Sequence, residues 1–385
     1  MYNVDSVGRW LGIALLAGAA GTGCGWTAVD PVPGATSSGD PAGVTTGEGV
    51  TTGEGAGGST DAVEEPGPGG SGGGGAGGTS GIGGGGGAGG TGGVGGEGVG
   101  GGGGAGGGGA GGGEACAGPL AFADPALEAA VRESVGMPDG LLLPADVASL
   151  DYIDARYRGV QSLSGLECIR SLTALDLTSN LVTDLTPLSS LTELRYLNVD
   201  ANLISDLAPL SSLLQLEHLN LSSNEISDVT VVGAMTELLT LRLISNPISD
   251  LGPLGSLAKL TQLYLGGSPL PTLAPLGGLE ALHVLVANEA EISDISALST
   301  MTNLRQAMLA NNHISDLSPL ASLPHLFYVT LSSNWVSDLS PLAENPSFGA
   351  GVSMIVEGNP IDCAAQASNI AELTARGTRL FSSCP

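Results

Sequence analysis

The chain has 385 residues, 65 of them Gly, and carries 11 Lys and Arg against 38 Asp and Glu for a formal net charge of −27. A pI near 4.1 excludes nucleic acid as the partner, since its capture needs a basic patch, and the mutual repulsion keeps an exposed protein soluble. Only the part after residue 115 or so has the aliphatic content to bury a core.

The apolar run Trp10–Ala20, directly after Arg9, is too short to cross a bilayer and predicts a signal peptide over residues 1–24. Cys24, preceded by Ala19-Ala20-Gly21-Thr22-Gly23, resembles the Cys that becomes the lipidated N-terminus in bacterial lipoprotein signals. That resemblance implies membrane association only through an N-terminal lipid anchor. Gly21 stands where the lipoprotein pattern has Leu, and Asp5 lies in the n-region, so ordinary secretory cleavage nearby is the alternative. Residues 25–115 are expected to form a Gly-rich disordered linker. From Gly67 to Gly113, 34 of 47 residues are Gly without every-third spacing, which excludes a collagen helix. Gly-x-Gly-x-x-Gly strings within it follow no strand and open no helix, so they signal no nucleotide. A coil of about 90 such residues reaches roughly 50 Å. It would hold the following domain clear of the surface to which Cys24 is attached.

Residues 116–150 read as a helical N-terminal cap. Asp124-Pro125 opens a helix, Leu127, Val131 and Val135 fall on one face, and Gly136 ends it. An imperfect first coil follows, with Leu150, Ile153, Ala155 and Val160 in register and Arg158 in a slot that later coils give to Asn.

Over residues 151–359 one pattern recurs every 22 residues. It runs Leu-x-x-Leu-x-Leu-x-x-Asn-x-Val-x-Asp-x-x-Pro-Leu from Leu172 to Leu188 and returns at Leu194, Leu216, Leu238, Leu260, Leu282, Leu304 and Leu326. A fixed period of this length predicts a solenoid whose turns share one core, so that no turn is stable alone. Two residues past the Asn column, all ten positions from Val160 to Ile361 are aliphatic, as a continuous core requires. The Asn column reads Asn180, Asn202, Asn224, Asn246, then Ser268 and Ala290, then Asn312, Asn334 and Asn359. A buried amide both donates and accepts, so it can satisfy backbone groups of adjacent coils. Four residues past it stand Ser162, Asp184, Asp206, Asp228, Asp250, Thr272, Asp294, Asp316 and Asp338. These types cap helix starts, and Pro three residues on in most repeats fits a first helical turn, predicting a short 3₁₀ segment on the outer face. A ladder of calcium ligands is the rival reading of the seven Asp, but Ser and Thr in the column suit capping better.

Residues 360–385 read as a C-terminal cap: a helix capped by Asp362, with Ile370 and Leu373 inward and Gly377 at its end, then Cys384.

These repeats resemble the leucine-rich repeat family, most closely the bacterial internalin type. The resemblance covers the chain from near Phe122 to the end of the repeats. It implies an α/β fold: a right-handed leucine-rich repeat solenoid with a parallel β-sheet on the concave face, short 3₁₀ turns on the convex face, and helical N- and C-terminal caps. The flank bearing Cys363 and Cys384 resembles the cysteine-bearing flanks of other members. On this reading Cys363 pairs with Cys384 and Cys116 with Cys168, leaving Cys24 odd, although four Cys allow three pairings. Zinc ligation lacks the close Cys spacing and nearby His it needs.

No catalytic constellation emerges, so no enzyme, cofactor or metal is expected. Ser256-x-x-Lys259 matches a penicillin-binding string without its companion motifs, and His218, His283, His313 and His325 occupy unrelated places in their coils. Recognition is the better reading, because strand residues flanking the core Leu point outward and form one extended face. The central column is polar through Asp154, Asp176, Asn198 and Asn220, then turns to Arg242, Tyr264, Val286 and Met308. With the flanking columns, the candidate protein-binding residues are Tyr196, His218, Arg242, Ile244, Tyr264, Val286, Met308 and Tyr328, types enriched at interfaces. The expectation is a monomer in the bacterial envelope or secreted, binding an unidentified protein. A ligand-free envelope spacer and a binder of cell-wall carbohydrate are the alternatives, and neutral drift is an equal account of the apolar cluster.

Overall fold

A computed structural model describes residues 116–270 and 272–384. The expected signal peptide (residues 1–24, with Cys24) and the expected Gly-rich linker (25–115) lie outside the described residues.

Within the described residues, eleven strands form one parallel sheet in strict chain order. They are β1 (Tyr152–Asp154), β2 (Ala174–Asp176), β3 (Tyr196–Asn198), β4 (His218–Asn220), β5 (Thr240–Arg242), β6 (Gln262–Gly266), β7 (Val284–Asn288), β8 (Gln306–Met308), β9 (Tyr328–Thr330), β10 (Ser353–Ile355) and β11 (Arg379–Phe381). Each residue from β1 to β8 faces the one 22 positions on, as in Tyr152 opposite Ala174 and Gln306 opposite Tyr328. The repeat period is therefore the pairing register. Tyr328 then faces Ser353 and Ser353 faces Arg379, so the last two crossings are longer. In the three-residue strands from β1 to β10 the middle Ile, Leu, Ala, Val or Met goes inward, and in the longer β6 and β7 the second and fourth residues do, the two-residue alternation of extended chain.

Inward side chains merge into one core that runs without a break from Leu127 to Leu373. Nine of the ten residues in the aliphatic column are buried, and only Ile361, where the last coil opens into the cap, is partly so. Asn180, Asn202, Asn224, Asn246, Asn312 and Asn334 are buried beside them. Asn224 shows the device: its Oδ1 accepts the Ile204 N–H of the preceding coil at 3.0 Å, and its Nδ2 donates to the carbonyls of Val199 at 2.9 Å, Leu221 at 3.0 Å and Ser222 at 2.9 Å. The preceding residue takes a left-handed conformation in coil after coil, as at Ser223 (φ 55°), to turn the side chain inward.

The two coils without Asn solve the problem differently. At Ala290 a second left-handed residue follows, Glu291 (φ 55°), and the Ala290 carbonyl itself accepts Leu270 N–H at 2.9 Å. At Ser268 the next residue is Pro269, whose ring forbids positive φ. There Ser268 Oγ donates to the carbonyl of its neighbour Gly267 at 2.9 Å, and Ile248 N–H turns to the Asn246 carbonyl at 2.7 Å.

The Asp column works as turn chemistry. Asp184, Asp206, Asp228, Asp250, Asp294, Asp316 and Asp338 each accept the N–H two residues on at 2.7–2.9 Å. Thr272 does the same for Ala274 at 3.0 Å. The acceptor sits two residues ahead of the helical segment, with an apolar residue such as Leu185 or Leu207 in the N-cap position between, so the bond is an Asx turn feeding the segment rather than the expected N-cap. The segments themselves are 3₁₀, such as Thr186–Leu188 and Ala208–Ser212, except in the last repeat, where Ser340–Glu344 closes as a short α-helix.

At the N-terminal end, helix α1 (Pro125–Val135) buries Leu127, Ala130 and Val131, and Gly136 (φ 69°) ends it. One oxygen of Asp124 caps the helix through Ala126 N–H at 2.8 Å, and the other accepts Gln161 N–H at 2.7 Å from the first coil. A single carboxylate thus joins cap to solenoid. At the far end Asp362 caps a turn through Ala364 and Ala365 N–H at 3.0 and 3.1 Å, while the helix proper, Ala367–Ala375, starts later than expected. Leu373 is buried, Ile370 packs at the margin, and the chain then returns as β11, a strand the sequence reading did not anticipate. Disulfides join Cys116 to Cys168 and Cys363 to Cys384, each across 5.4 Å between Cα atoms, as the expected pairing has it.

Candidate functional site

The open face of the sheet carries three outward columns: the first and third residue of each strand and the residue two further on. In the first three coils this surface is acidic and polar. Arg156 bonds Asp154 at 2.6 and 2.9 Å and lies 3.9 Å from Asp176. Asp176, only 4 % exposed, accepts Thr178 N–H at 3.0 Å and its hydroxyl at 2.6 Å, and Asn198 reaches it at 3.4 Å. Burial pushes the Asp176 carboxyl above its ordinary range despite these donors, whereas the Arg156 guanidinium holds that of Asp154 below it. Asp200, in the third column, is also pushed up by burial.

Tyr196 and His218 are register partners with ring centres 6.4 Å apart, tilted by 49°. Burial raises the Tyr196 phenol and lowers the His218 imidazole, so both are held neutral. The Arg242 guanidinium lies 3.9 Å over the centre of the Tyr264 ring, and the Tyr264 hydroxyl donates to Gln262 at 3.0 Å. Arg242 and Tyr264, adjacent in register, are therefore one cation–π unit with a fixed ring.

Beyond them the surface is apolar: Ile244, Met308 and Tyr328 are half-buried outward side chains. Val286 corrects the expectation of a shared exposed patch. It lies in register between Tyr264 and Met308 and is only 9 % exposed, so it supports its neighbours rather than offering area. The coils that lost Asn carry the two longest strands, β6 and β7, paired over five residues. Gly266 (φ 118°) permits this pairing, since a Cβ there would stand 2.2 Å from the Asn288 carbonyl oxygen.

Ser256 and Lys259 have structural tasks. Ser256 Oγ donates to the Gly233 and Pro253 carbonyls at 2.7 and 2.9 Å, and Lys259 pairs with Glu237 on the adjacent coil at 2.6 Å. A second surface escaped the sequence reading: Trp335, 58 % exposed, stacks on His313 at 4.4 Å. Both occupy the position after Asn, where Leu181 and Leu203 are exposed too, and tabulating that column would have found them.

An open parallel sheet of short strands, one per 22-residue turn, with an Asn ladder on one edge and 3₁₀ segments opposite, defines a leucine-rich repeat solenoid. The family model for leucine-rich repeats (2 copies) matches residues 170–213 and 302–344. An internalin (inlF) from Listeria monocytogenes superposes with a TM-score of 0.56 at 24% identity, covering 68% of this chain and 91% of that one. The functional domain of InlJ from the same species, described as including a cysteine ladder, gives 0.54 at 23%, over 65% of this chain and 54% of that one. An internalin C2 (inlC2), also from Listeria monocytogenes, is 30% identical over 63% of this chain and 94% of its own, with a TM-score of 0.47. No curated protein sequence matches the chain. The chain belongs to the leucine-rich repeat proteins, with repeats of the bacterial internalin-like type.

Proposed function

We propose that this is a non-enzymatic, extracytoplasmic leucine-rich repeat protein that binds another protein through the open, concave face of its sheet. The observation that carries the reading is the half-buried patch of Arg242 stacked on Tyr264 beside Met308, Ile244 and Tyr328. Rigid aromatic rings with a stacked Arg and a thioether alongside are what protein interfaces concentrate at their centres. Two disulfides support an oxidising compartment, in the envelope or outside the cell. We assign residues 1–24 as the exported leader with Cys24 as a lipid anchor, 25–115 as tether, 116–150 and 360–385 as caps, and 151–359 as repeats. Intact mass of the mature N-terminus tests the anchor, since acylated Cys24 adds a discrete mass.

The test of the face is capture of envelope proteins on the immobilised chain. Tyr264→Ala with Met308→Glu should abolish capture with an unchanged thermal melt, because neither side chain enters the core. Undiminished capture by the double variant refutes the patch.

A further inference from the structure

We infer that the open face is a two-zone surface fitted to an extended protein segment with basic side chains at one end and a bulky apolar side chain about seven residues away. The inference rests on the protein-binding reading and adds the partner's chemistry and spacing.

The zones follow from where charge falls on the three outward columns. The first three coils hold Asp154, Asp176 and Asp200, against one cation, Arg156, which is already paired with Asp154. From β4 to β9 the same columns hold no carboxylate and one cation, Arg242, laid on Tyr264. The later zone instead presents Ile244, Met308 and Tyr328 over the buried Val286. Asp176 and Asp200 have lost hydration that their neighbours do not fully replace, since burial is the leading influence on both carboxyls. A guanidinium or ammonium set above them restores that loss, and an anion there meets repulsion.

Asp200 follows β3 and Met308 ends β8, five coils apart in the 22-residue register. At about 4.8 Å per strand Asp200 and Met308 are about 24 Å apart, which an extended peptide spans in about seven residues. Charge complementarity at one end and desolvated contact at the other select a segment running across the strands.

The experiment uses the full chain with its disulfides intact and labelled synthetic peptides of about twelve residues, read by fluorescence anisotropy at physiological salt. One peptide has two Arg at one end and Phe-Leu seven or so residues on; a second has the same composition with basic and apolar residues alternating. The zoned peptide should bind about tenfold tighter than its isomer. Asp200→Asn should erase most of that preference, while Asp228→Asn, the same charge change on an outer turn, should leave it intact. Equal binding of the isomers, with both lost on Met308→Glu, overturns the two zones and leaves the binding face standing. Indifference of all binding to Met308→Glu overturns the face itself, and no binding by either peptide overturns the extended basic–apolar segment.

Discussion

Replacing Asn224 by Ala tests the physical core of this fold. The substitution removes the acceptor of Ile204 N–H, for which no second acceptor stands among the described residues, and three contacts donated by Nδ2. The carbonyls are less exposed to the loss. Val199 also accepts from Asn202 at 3.1 Å and Leu221 from Asn246 at 2.9 Å, so each keeps one bond. A stranded buried N–H costs about 1–3 kcal/mol and each of the two donated protons about 1 kcal/mol, so the variant should lose about 3–5 kcal/mol. Urea unfolding followed by circular dichroism, with disulfides intact, measures it. The solution seen at Ala290 supplies the control. Adding Glu225→Gly lets residue 225 adopt positive φ, so that the carbonyl of residue 224 can face Ile204 N–H. Part of the loss should return, although Glu225→Gly alone destabilises by up to about 1 kcal/mol. The recovery is partial because Glu225 N–H must leave the Ile204 carbonyl, now 2.9 Å away. A loss under about 1 kcal/mol for Asn224→Ala, or no recovery in the double variant, refutes the hydrogen-bond account.

Two carboxylates should respond to pH with opposite sign. Asp176, raised by burial, favours the fold below its ordinary value of 3.8 and withdraws that support as pH rises through its shifted value, so Asp176→Asn should gain on the parent between pH 4 and pH 7 in denaturant midpoint. An Asp176→Asn variant that loses ground to the parent over that range contradicts the assignment. Asp124 is lowered: burial opposes ionisation, but backbone donors led by Gln161 and Ala126 outweigh it. Its contribution is present at neutral pH and fades as pH falls through the lowered value, so Asp124→Ala should be most harmful near pH 7 and nearly silent in strong acid. Replacing both Cys363 and Cys384 by Ser, across a separation of 21, should cost about 3 kcal/mol; the Cys116–Cys168 pair, across 52, about 4 kcal/mol. Hydrogen exchange should show each loss opening the adjacent end coils first, and uniform opening along the solenoid counts against the end-cap role.

The period, the core column, the Asn ladder and the outer turns were legible because a solenoid contacts itself one repeat away. Val160 to Ile361 can be aligned without knowing any distance, and that alignment is the register of the sheet. What depends on a residue's own column follows the same logic, so Arg242 and Tyr264 could be placed side by side. The sequence could not say that the guanidinium lies on the ring, or that Val286 sinks beneath its neighbours, because those outcomes turn on side-chain volumes across three coils. Nor did it locate β11 or the second task of Asp124. Both arise at the ends, where the repeat stops and the chain must close its core with contacts that no periodicity encodes.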